Sequence, residues 1–90
     1  MNEKLEKMIG RILRCPKMFN CQNVRDAIRC IEGVSIGYSL KAEKDHGLNI
    51  QRWAEERYKC SSKIYWGDLF EENASSISEL KNIFDDYFNQ

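Results

Sequence analysis

Apolar side chains recur along this chain at helical spacing and nowhere in the alternation a strand requires. Leu5, Met8, Ile9, Ile12 and Leu13 stand at i, i+3, i+4, i+7 and i+8, which is one stripe on an α-helix. Val24, Ala27, Ile28, Ile31, Val34, Ser35 and Tyr38 form a second stripe. Ile77, Leu80, Ile83, Phe84, Tyr87 and Phe88 form another near the C-terminus. Strands need alternating or β-branched runs, and none is present. The expected fold is therefore all-α, a small bundle of four to five helices. A chain of 90 residues without an internal repeat, low-complexity tract or linker forms one domain, residues 1–90.

Helix boundaries follow from local chemistry. The first helix is expected over Glu3 to Leu13, stopping by Arg14, because the only proline, Pro16, pushes Cys15 out of helical geometry. Met18 and Phe19 are expected to face inward from a short loop. Asn20, Gln22 and Asn23 offer caps for a long helix from about Asn23 to Lys44. The second half of that helix also carries Ile36 and Leu40 on the side opposite its stripe. An element apolar on both sides is expected to be covered on both, at the centre of the bundle. Gly33 and Gly37 lie four apart on one face, and close approach of another helix explains them better than a kink.

Gly47 reads as a stop. A third helix is then expected over Ile50 to Tyr58, with Asn49 as N-cap and Leu48 and Trp53 as a hydrophobic staple. Tyr65 to Glu72 reads as a short helix. Ser76-Ile77-Ser78-Glu79 is a capping box for the last one. The expected core gathers Trp53, Ile31, Tyr38, Ile83 and Phe84.

Apolar content of 42% with charged content of 31% argues against disorder. No apolar run approaches the roughly 18 residues that span a bilayer. Charges alternate through Met1-Asn2-Glu3-Lys4-Leu5-Glu6-Lys7, where a signal peptide would be apolar. The expected location is the cytosol. There, Cys15, Cys21, Cys30 and Cys60 serve as free thiols. They contain no C-x-x-C pair, so no metal or cofactor is expected.

Catalytic constellations are missing. His46, the single histidine, sits in an expected turn with no nucleophile placed against it. Glu55-Glu56 and Glu71-Glu72 are helix neighbours pointing about 100° apart, which does not make a carboxylate dyad. Gly33-x-x-x-Gly37 lacks the Gly-Lys-Ser/Thr of a phosphate loop. A non-enzymatic, binding role follows.

Charge is balanced overall but polarised. Met1 to Ile31 carries seven basic residues against three acidic, a local net of +4. Ile64 to Gln90 carries one basic residue against six acidic, a local net of −5. Lys4, Lys7, Arg11 and Arg14 form a basic stripe that could follow phosphates. Glu3 and Glu6 interrupt it, so a solvated face is the preferred reading and nucleic-acid regulation the alternative.

Several phrases now line up: Arg14-Cys15-Pro16-Lys17-Met18-Phe19-Asn20, then Cys30-Ile31-Glu32-Gly33-Val34, then Ile50-Gln51-Arg52-Trp53-Ala54-Glu55-Glu56-Arg57-Tyr58. Trp66 and Ile83-Phe84-Asp85-Asp86-Tyr87-Phe88 complete the order. Over nearly its whole length the chain resembles small bacterial immunity proteins paired with polymorphic and contact-dependent growth-inhibition toxins. It departs from that family's pattern at Cys15, Lys17 and Asn20, where arginine and two glycines are usual. The resemblance implies a protein that neutralises a cognate toxin C-terminal domain by direct contact, with no membrane and no cofactor involved. A nuclease toxin would carry a cationic active site, for which an acidic face is a complement. Asp68, Glu71, Glu72, Asp85 and Asp86 are accordingly the expected partner-binding carboxylates. Tyr65 or Trp66 is the expected aromatic anchor.

Overall fold

The first stripe becomes helix α1 (Glu3–Arg14), which buries Leu5, Ile9, Ile12 and Leu13 on one face. Acidic Glu3 and Glu6 lie in its first turn and basic Arg11 and Arg14 in its last, favourable at both ends of the helix dipole. Pro16 then opens a 3-10 turn, Pro16–Phe19. The turn closes at Asn20 with φ 58°, a left-handed conformation that asparagine tolerates better than most residues. These elements belong to a computed structural model that describes residues 3–42, 45–60 and 64–90.

Four further helices follow: α2 (Val24–Ala42), α3 (His46–Tyr58), α4 (Trp66–Asn73) and α5 (Ile77–Phe88). The described residues form no strand, and the all-α bundle expected from the spacing is the fold. Helix α2 packs on α1, α3 and α4, while α5 closes against α1. The core runs through Ile9, Ile12, Ile31, Ile50, Phe70, Leu80 and Phe84, and the Cα radius of gyration is 12.2 Å.

Caps define three of the helix starts. Asn23 Oδ1 accepts from Asp26 N at 2.9 Å, and Gln22 N returns a bond to Asp26 Oδ2 at 3.0 Å. Ser76 Oγ accepts from Glu79 N at 3.2 Å, as the capping box requires. The Glu79 carboxylate reaches back one residue further than expected, to Ser75 N and Oγ. Helix α3 begins four residues before the expected Ile50: Asp45, not Asn49, is the N-cap, and its Oδ1 accepts from Leu48 N at 2.9 Å. Gly47 stops nothing, because its φ is not positive and it lies within the first turn.

Other expectations are corrected by packing. Met18 is 78% exposed, whereas Phe19 is partly buried against the core. Ile31, Ile83 and Phe84 are core residues, while Trp53 and Tyr38 are only half-buried at its edge. His46 is buried at the start of α3 and not solvated in a turn. The second half of α2 is not the centre of the bundle. Leu40 is 79% exposed and Ile36 56%, and a Cβ added at Gly33 or Gly37 would meet nothing within 4 Å. The end of α2 expected at Lys44 lies outside the described residues.

Candidate interaction surface

The uncovered half of α2 forms one wall of an open groove of about 740 Å³. Ile36 and Leu40 project from α2, Leu48 from the first turn of α3, and the Tyr65 ring from the residue before α4. Ser39 joins the two long walls. Its hydroxyl donates to the Ser35 carbonyl at 2.7 Å and accepts from His46 N at 2.9 Å, fastening the start of α3 to α2. Gln51 fixes the opposite rim. Its Oε1 accepts from Trp66 N at 2.7 Å, and its Nε2 donates to the Ile64 carbonyl at 2.6 Å. The groove is therefore built from tied backbone elements rather than loose side chains.

Its polar features are few. The Tyr65 hydroxyl donates to a Glu32 carboxylate oxygen. Burial first, and the Glu32 carboxylate second, push the Tyr65 phenol well above its ordinary titration range. Glu32 and Asp45 are the only charged residues that line the groove among those described. Ser35 also lines it; this side chain is 1% exposed, and its Oγ has no hydrogen-bond partner. Tyr65 is held down because Gly67 leaves room beneath it. A Cβ at Gly67 would stand 2.3 Å from Tyr65 Cε2 and 2.8 Å from Ile28 Cγ2.

The residues expected from sequence to contact a partner are distributed differently. Trp66 is 3% exposed and stacks edge-on to Phe70 and Phe84, so it is a core residue and offers no ring to a partner. Tyr65 is exposed and lines the groove. Three of the five carboxylates are already paired within the chain. Glu71 bonds Arg25 at 2.8 Å, Asp86 bonds Arg57 at 2.9 Å, and Asp85 bonds Lys81 at 2.9 Å one helical turn away. Arg57 also lies 5.2 Å from the Trp53 ring centroid, so Asp86 belongs to a bracket between α5 and α3. Asp68 and Glu72 are exposed and make no ion pair among the described residues. The acidic end is thus less free than its composition implies.

Ile36, Leu40, Leu48, Ser35 and Glu32 were not singled out as contact residues from sequence. The signal was present in Ile36 and Leu40, whose position opposite the buried stripe implied a cover that the described residues do not supply. No protein-family model, curated protein or solved structure matches the chain. Among the described residues no group of three or more histidine, cysteine, aspartate or glutamate side chains could hold a metal ion. None of their helices is long and apolar enough to cross a membrane.

Proposed function

We propose that this chain is a non-enzymatic immunity protein that binds a cognate bacterial toxin domain in the cytosol of the producing cell and neutralises it by contact. The observation that carries the binding role is the apolar surface of Gly33, Ile36, Gly37, Leu40, Leu48 and Tyr65, uncovered in a chain that buries its other helical stripes. Exposed apolar patches of this contiguity mark interaction sites in soluble proteins. The toxin as partner rests on the sequence resemblance, which runs from Arg14 to Phe88. Co-expression with the variable C-terminal domain of a large exported protein encoded beside it is the test. A stable one-to-one complex and restored growth are expected; expression of both chains with no complex and continued growth arrest would reject the reading.

One observation favours a second reading. Lys7, Arg11, Arg14 and Lys17 are exposed on α1 and the 3-10 turn and form no ion pair among the described residues. A nucleic-acid regulator would use these cations, and its affinity would fall steeply with salt. Fluorescence anisotropy with labelled duplex DNA or RNA separates the two, since loss of binding in Arg11→Glu would favour the regulator.

A further inference from the structure

Gly33, Ile36, Gly37 and Leu40 stand at i, i+3, i+4 and i+7 on α2, the spacing of a stripe that faces another helix. Each glycine weakens the helix that contains it, and no neighbour among the described residues uses the space it leaves. Beside the stripe, the groove walls of Leu40, Leu48 and Tyr65 can receive a large side chain. The buried Ser35 hydroxyl borders the same groove without a hydrogen-bond partner. Among the described residues, the only charges lining the groove are the carboxylates of Glu32 and Asp45.

We infer that the occupant of this surface is an α-helix of a second protein, crossing α2 at Gly33 and Gly37, inserting apolar side chains into the groove and carrying lysine or arginine on the flank that meets Glu32 and Asp45. The glycines set how closely the two backbones approach. The carboxylates select cationic flanks over acidic ones. The inference rests on the binding role proposed above and specifies the chemistry of the partner.

The experiment uses two synthetic 18-residue helical peptides, each with leucines at i, i+3, i+4 and i+7. One is flanked by lysines and the other by glutamates. Titration into the intact labelled protein, followed by amide chemical shifts, should move Gly33, Gly37, Leu40 and Leu48, with the lysine peptide binding at least tenfold tighter. Leu40→Asp and Gly37→Ile should each weaken it at least tenfold. Gly37→Ile fills open space and is expected to fold at least as stably as the parent, so its loss of binding cannot be assigned to unfolding. Equal binding of both peptides, no binding at millimolar concentration, or shifts mapping elsewhere would overturn the inference. Self-association through the same amides without peptide would assign the surface to a second copy and overturn it equally. Peptide binding without a toxin complex would reject the immunity reading while leaving this surface intact. A toxin complex that leaves these amides unmoved would do the reverse.

Discussion

Phe70 is the residue on which the aromatic core converges. Its ring meets Trp53, Tyr58, Trp66 and Phe84 in edge-to-face geometry at centroid distances from 5.3 to 6.2 Å. Such pairs add to the free energy of simple burial. Phe70→Ala should therefore destabilise by about 3–5 kcal/mol, the range for a fully buried large aromatic. Trp53→Ala should cost less, roughly 2 kcal/mol, because the half-exposed indole leaves a site that water can reach. Urea denaturation of both variants checks the order; an equal or larger loss at Trp53 would contradict it. The four thiols are also separable at this scale. Cys15 is exposed, while Cys21 is buried and its thiol is pushed up by that burial and by the adjacent Cys30. In the native protein at neutral pH, iodoacetamide should label Cys15 first and Cys21 last, read by time-resolved mass spectrometry.

At the scale of elements, α2 decides most of the account. Gly33 and Gly37 are exposed positions in a helix interior with open space around them. Alanine at either should stabilise the isolated protein by up to about 1 kcal/mol, the helix-propensity difference. A shift of the thermal midpoint downward would show that the glycines serve the fold itself. Much of this architecture was legible in the sequence. The stripe of α1, its end before Pro16, the Asn23 cap and the Ser76 capping box all depend on neighbours within a few residues. The start of α3 was misread because Asp45 and Asn49 are both good caps, and the bond from His46 N to Ser39 Oγ, across seven residues, that holds the earlier start cannot be read from local sequence. The groove was half legible. Ile36 and Leu40 are plainly apolar on the outer side of α2, but whether a helix covers them depends on tertiary packing that periodicity does not encode. The burial of Trp66 and the pairing of Glu71 with Arg25, 46 residues apart, are hidden for the same reason.

For the molecule as a whole, the titrating groups define a plateau of stability. Burial raises Tyr65 and Tyr87 above the ordinary tyrosine value of 10.0 and Cys21 above the cysteine value of 9.0. A raised folded pKa means a contribution fully present below the unfolded value and lost as pH climbs towards the folded one. Glu79, lowered from 4.5 by its bonds to Ser75, works in the opposite sense: its contribution is present above that value and lost on acidification. Urea midpoints should thus be flat from about pH 6 to 8 and fall above about pH 9, as Cys21 and then the tyrosines pass their unfolded values. A midpoint that rises with alkaline pH would contradict these assignments.

Charge and shape divide the surface between two candidate uses. Ion pairs within the chain neutralise much of the acidic end, whereas nothing in the described chain covers the apolar groove. The most direct measurement compares Leu40→Asp with Glu72→Lys in a pull-down of the co-expressed toxin domain, with circular dichroism to establish that both variants fold. Both side chains are exposed, so neither change should unfold the protein. Leu40→Asp should lose the complex and protection from growth arrest, while Glu72→Lys keeps both. Retention by Leu40→Asp together with loss in Glu72→Lys would move the binding surface to the acidic end and contradict it.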